Sequence, residues 1–234
     1  MPDPSVYPNA PLFEAIFEIR FPGEPAVECH RDEFFALVRE EFPMVWVPHL
    51  EVSQFPALSP YHFRTADEKS SLMIAINRFA YSTRAYSGFA SFKREAMKYM
   101  TAFVKKFGLQ KLNRTGLRYV NVIPFNREQG LLPIEHYFQF RVEIPPAKPS
   151  QVSNLSLAYS VPRKDGSLTI RIECVASPDQ RPAFLLDFDY AQVRELTVDQ
   201  LENYIDESHQ ETKLFFETIV TNEYRDYMKG DVVE

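Results

Sequence analysis

Asp187-Phe188-Asp189 is the arrangement of residue types in this chain most able to do chemistry. On a strand, alternate residues share a face, so the two carboxylates project the same way, roughly 7 Å apart. Arg171 and Glu173, on the strand before, are placed to join them. Clustered acids of this kind hold Mg²⁺ or Mn²⁺ for hydrolytic chemistry, with Glu173, Asp187 and Asp189 as the ligand set. No further carboxylate and no lysine sits at a diagnostic spacing. The expected role of these acids is therefore structural: the wet face of an antiparallel sheet, or partners for Arg171 or Arg194.

His209 falls beside the apolar stripe of the last predicted helix, where it is a general base facing the sheet or a hydrogen-bonded core residue. The second role is the expected one. Arg20, Arg118, Arg141 and Arg171 recur in strands that otherwise alternate well. An arginine among apolar neighbours needs a carboxylate or a ligand oxyanion, and Glu18, Glu143, Glu173 and Asp187 are available. Internal pairing is expected for most of them, although an arginine-bearing sheet face also suits a peptide or a small anion.

Other chemistries are excluded more simply. The seven glycines are widely spaced, so neither a dinucleotide-binding nor a P-loop glycine pattern exists, and no Gly-x-Ser-x-Gly elbow occurs. The five histidines are solitary. Glu28-Cys29-His30 with Asp32 is the densest group of metal-ligand types, but neighbours along the chain point apart, and Asp32 reads as a helix cap. Apart from the Glu173, Asp187 and Asp189 alternative no metal site is predicted, and no cofactor is expected. Cys29 and Cys174 lack a CxxC pattern and read as buried, reduced thiols.

A net charge of −6 disfavours nucleic acid and anionic membrane, both of which need a lysine and arginine excess. The first residues have neither a basic nor an apolar signal region, and no apolar run approaches the roughly 20 residues of a membrane span. A cytoplasmic protein is expected.

The elements that must position these residues are α+β in pattern. Residues 1–11, with Pro2, Pro4, Pro8 and Pro11, form an extended arm. Phe13, Ala15, Phe17, Ile19 and Phe21 alternate along a strand, a helix follows over 31–42, and strands are predicted around 46–55, 61–65 and 72–86. Phe92, Ala96, Tyr99, Met100, Phe103 and Phe107 define one face of a helix over 90–107, closed by Gly108. Strands are then predicted over 115–125, 137–144, 154–161, 168–175 and 183–188, with Asp165-Gly166 as a two-residue hairpin turn. The last helix runs from Thr197, with Gln200 completing a capping box, to about Met228, carrying Leu201, Ile205, Thr212, Phe216, Ile219 and Glu223 on one stripe. At that length a kink is expected.

Ser71–Ile76 and Ser167–Ile172 read alike, each alternating at period two before a long amphipathic helix. They imply a duplicated α+β fold. Residues 12–110 and 111–234 each run strand, helix or connection, antiparallel strands, then a long helix, and share one mostly antiparallel sheet with the helices on one face.

The opening Tyr7-x-Asn9-x-Pro11-Leu12-x-Glu14-Ala15, the block Arg114-x-Gly116-Leu117-Arg118-Tyr119-Val120-Asn121, Asp187-x-Asp189, and His209 with Phe215-Phe216-Glu217-x-x-Val220-Thr221 resemble a sporadically distributed bacterial family of uncharacterised proteins. Phe89 stands where that family often carries Trp. The resemblance implies a bacterial cytosolic protein and transfers no activity, but it draws attention to Glu14, Arg118, Asn121, Asp187 and His209.

The predicted function is a non-catalytic binding or protein-interaction module, a homo-oligomer or one with a protein partner. The alternative is a divalent-metal-dependent hydrolase or nuclease acting through the carboxylate cluster.

Overall fold

The computed structural model describes residues 7–47, 60–140 and 152–230. The chain forms β1 (Leu12–Arg20), α1 (Pro25–Cys29), α2 (Arg31–Val38), β2 (Met44–Trp46), β3 (Tyr61–Arg64), β4 (Ser70–Ala75), β5 (Arg78–Thr83) and α3 (Phe89–Phe107). It continues through β6 (Lys111–Leu112), β7 (Arg114–Pro124), α4 (Ile134–Tyr137), β8 (Ser156–Pro162), β9 (Ser167–Ala176), β10 (Pro182–Gln192), β11 (Leu196–Thr197), α5 (Leu201–Ile219) and α6 (Asn222–Lys229).

Nine strands make one mostly antiparallel sheet in the order β2-β3-β4-β5-β1-β7-β10-β9-β8, while β6 pairs with β11. The two strands expected to open each repeat, β1 and β7, are neighbours in that order. The look-alike strands hold matching places: β4 lies two strands out from β1, and β9 two strands out from β7.

By contact density the chain divides into two compact units, one of Met1–Phe13, Arg118–Tyr190 and His209–Glu234, the other of Glu14–Leu117 and Ala191–Ser208. The second has a ring-dense core. Ala15, Phe17 and Ile19 of β1 are fully buried, as period-two alternation requires. Phe79 of β5 lies under Phe103 of α3 at 4.1 Å between ring centres, and Phe34 of α2 meets both edge-on. Gly108 ends α3 in the left-handed conformation at φ 62°, which a residue with a Cβ adopts only at a cost.

In the other unit Phe184 of β10 stacks on Phe125 at 4.2 Å. Around them pack Leu168, Ile170 and Ile172 of β9, with Val220 and the α6 residues Tyr224 and Met228. The helix expected to run, with a kink, to Met228 stops outright at Ile219, and Thr221 begins another, its side chain accepting from the Tyr224 N–H at 3.1 Å. The interruption has a cause in the backbone: Thr221 N–H donates to the Tyr137 carbonyl and Gln139 N–H to the Ile219 carbonyl. These bonds tie the break to the segment after α4.

Several local expectations are corrected. The strand predicted over 72–86 is a hairpin, β4 and β5, because Ile76 and Asn77 turn within an apolar run that hides the turn. Tyr137 closes a short helix, not a strand. The turn between β8 and β9 is centred one residue earlier than predicted, on Lys164-Asp165, with Arg163 N–H donating to the Gly166 carbonyl. Thr197 makes no side-chain cap, and Gln200 instead accepts from the Tyr204 hydroxyl, so the capping box does not form. Glu223 is exposed and off the buried stripe. Asp32 lies in the first turn of α2 rather than at its cap, and Cys29 is exposed. Residues 48–55, Arg141, Glu143 and the loop 145–149 lie outside the described residues. No described helix is long and apolar enough to cross a membrane.

Candidate functional site

The sequence-derived shortlist divides between the two faces of the sheet. On one face Arg118 of β7 reaches across to Asp187 of β10 in a two-pronged pair, Nε to Oδ1 and Nη2 to Oδ2, both 2.8 Å. Arg171 of β9 comes within 3.8 Å of the same carboxylate and 3.6 Å of Glu173. Asp187 is 6% exposed, whereas Arg118 and Arg171 are 41% and 45% exposed. Asp189 shares this side of β10 and is half-buried. Glu14 is also half-buried, on β1. The strand order explains the main pairing: β7 is the neighbour of β10, so Arg118 becomes the fork partner that sequence reasoning assigned to Arg171 or Arg194.

On the opposite face Asn121 is buried and donates its amide to the Leu186 carbonyl at 3.0 Å. His209 Nδ1 lies 3.0 Å from the Tyr119 hydroxyl. Asn121 and His209 therefore do not converge with Arg118 and Asp187; a backbone layer separates them. Among the described residues no group of three His, Cys, Asp or Glu side chains is spaced to hold a metal ion.

A second charged group occurs in the other unit, where the sequence offered Glu18 as a partner for Arg20 but did not bring in Arg114 or Arg78. Glu18 accepts from Arg20 Nε and Arg114 Nη1, each at 2.7 Å, with Arg78 at 3.9 Å. Gly116 makes room for it. A Cβ there would sit 2.5 Å from Arg114 Nη1, so any larger residue must push the guanidinium aside. The Arg-x-Gly spacing was visible in sequence, but nothing local named Glu18 as its target.

His62 of β3 faces Trp46 of β2 edge-on at 5.0 Å and Ser71 at 3.3 Å. Burial, reinforced by Arg64 and Arg78, pushes its pKa down from 6.5 to about 4. Below pH 6.5 the unfolded chain therefore binds a proton that the folded chain refuses, and stability is lost as pH falls from 6.5 toward 4. Solvent screening of this partly exposed ring reduces the effect to about 1 kcal/mol. Urea midpoints at either end of that range should fall further for the parent protein than for His62→Gln. Equal falls would remove His62 as the cause.

One described cleft is also a feature that sequence reasoning missed. It holds about 600 Å³ in the unit built on β7–β10. Its walls come from the arm around Asn9, the end of β7, α4, the β9–β10 turn and α6. Five separate segments supply the lining, so no local motif marks it.

Comparison with family models, with curated proteins and with solved structures gives no match.

Proposed function

We infer that this chain is a soluble, cytoplasmic, non-catalytic binding module that works by protein association, first with copies of itself. One observation carries the reading. On β2, the last described strand at one end of the sheet order, Met44, Val45, Trp46 and the following Val47 are 40%, 45%, 38% and 53% exposed. Consecutive residues of a strand point to opposite faces, so both sides of this strand offer apolar surface. Such a strand is a template for pairing with another chain. At the other end, β8 is blunted by Ser156, Ser160 and Pro162, with Tyr159 as its one large exposed ring among the described residues.

The candidate reactive groups support the same reading, because they are occupied internally: Asp187 by Arg118, His209 by Tyr119 and Asn121 by the Leu186 carbonyl. A hydrolase using Glu173, Asp187 and Asp189 is the weaker alternative, since a metal would have to displace a two-pronged guanidinium. The bacterial family resemblance belongs to this reading and adds no activity to it.

Light scattering across the micromolar range should show an oligomer that dissociates on dilution. Val45→Lys places a charge on this half-exposed edge, where the long side chain can reach water past Phe63, and should give a monomer that keeps a cooperative melting transition. A parent protein that is monomeric at every concentration would overturn the reading.

A further inference from the structure

We propose that the cleft beside α6 binds a small alkylated ammonium ion. Its volume of about 600 Å³ suits a small-molecule site. The floor is aromatic. Tyr137 and Tyr224 lie 5.2 Å apart, Tyr227 stacks beside Tyr224 at 5.8 Å and 21°, and Phe125 stands 6.5 Å from Tyr137. Ring faces attract an organic cation through their quadrupole while accepting its alkyl groups.

The charged lining selects for the same sign. Glu128 lies 3.2 Å from His136 Nε2 and Glu223 lies 3.5 Å from Nδ1, so one imidazole holds two carboxylates at the cleft. Arg181, the lining arginine, gives its Nε to Asp179 at 2.6 Å, and that carboxylate offsets its charge. An anion entering here would face Glu128 and Glu223, and the lining arginine is already paired. A cation would meet both carboxylates and the rings together.

The arm that lines the cleft is held in place before any ligand arrives. Asn9 donates its amide to the Tyr227 carbonyl at 2.9 Å and its backbone N–H to the Met228 carbonyl at 3.0 Å. Val122 N–H donates to the Pro11 carbonyl at 2.9 Å, fastening the arm to β7. Such preorganisation lowers the ordering cost of binding.

The inference goes beyond protein association and does not depend on it, because Val45→Lys leaves all of these residues in place. The test compares three ligands of one shape by equilibrium dialysis: choline, the neutral 3,3-dimethyl-1-butanol and the anionic 3,3-dimethylbutanoate. Choline should bind about tenfold more tightly than the alcohol, and the carboxylate more weakly than either. Glu128 and Glu223 are 66% and 70% exposed, so Glu128→Gln and Glu223→Gln should keep the parental melting temperature. Each should weaken choline about threefold to fivefold, and Tyr227→Leu, which removes a ring face, should weaken it by a similar factor. Absence of choline binding, equal affinity for choline and the alcohol, tighter binding of the carboxylate, or a double Gln variant with parental affinity would each overturn the assignment.

Discussion

Phe103→Ala should remove about 4–5 kcal/mol of stability, the upper part of the range for truncating a buried phenylalanine. The reason is how many rings it touches. Its side chain is fully buried, stacked on Phe79 at 4.1 Å and 11°, with Phe107 at 4.8 Å, Phe34 edge-on at 5.3 Å and Phe21 at 5.8 Å. Truncation forfeits the transfer energy of one ring and leaves its neighbours facing a cavity, and rings fixed by each other collapse poorly into it. Such a loss is a large share of the roughly 5–15 kcal/mol that holds a typical domain folded. Phe103→Leu keeps most of the volume and should cost no more than about 1.5 kcal/mol. Urea unfolding followed by Trp46 fluorescence reads the same compact unit, because Trp46 belongs to it. A loss below about 2 kcal/mol for the alanine variant would mean the site relaxes, and the cluster would not be the core it resembles.

That core was legible in the sequence because both of its periods are clean. Phe92, Ala96, Tyr99, Met100 and Phe103 recur at helical spacing and are all buried, while Ala15, Phe17 and Ile19 alternate and are all buried. The two look-alike strands were legible for a related reason. Ser71–Ile76 and Ser167–Ile172 share a pattern because β4 and β9 occupy matching places in the strand order. Boundaries were lost where periodicity carries no information. The apolar run through Ile74, Ala75 and Ile76 masks the turn into β5, and Tyr137 belongs to a single helical turn too short to establish a period. The break before Thr221 was anticipated only as a kink. Its cause is backbone bonds to Tyr137 and Gln139, more than eighty positions away along the chain, and no local propensity reports them.

The candidate sites were less legible, because chemistry there depends on which strands are neighbours. Asp187 and Asp189 were read correctly as sharing one side of a strand, and the arginines were read as seeking carboxylates. The identity of each pair was not recoverable. Arg118 lies 69 positions from Asp187, and only the adjacency of β7 and β10 joins them. The cleft is a stronger case: Asn9, His136, Arg181 and Glu223 come from segments with no common pattern. His209, expected as a hydrogen-bonded residue facing the sheet, meets the Tyr119 hydroxyl, and it and Asn121 serve the face opposite Asp187.

The Arg118–Asp187 pair should respond asymmetrically to loss of its two members. Arg118→Met leaves a carboxylate that is 6% exposed, with Arg171 Nη1 no nearer than 3.8 Å. A buried charge stripped of its fork partner keeps its desolvation cost and loses the compensating bonds, so this variant should lose about 2–3 kcal/mol. The figure lies below that for a fully interior pair because Arg118 is itself 41% exposed and the attraction it supplies is partly screened. Asp187→Asn removes the other charge but keeps the shape, and the freed guanidinium turns to water; about 1 kcal/mol is expected. Arg118→Met combined with Asp187→Leu leaves no charge to strand and should recover at least half of the single Arg118→Met loss, as replacement of buried pairs by apolar residues often does. Urea unfolding of the two single variants and the double variant supplies all three values. Equal losses for the two single variants would show that Asp187 is as well solvated as Arg118. The pair would then be an ordinary surface contact, and Asp187 would again be open to a metal ion.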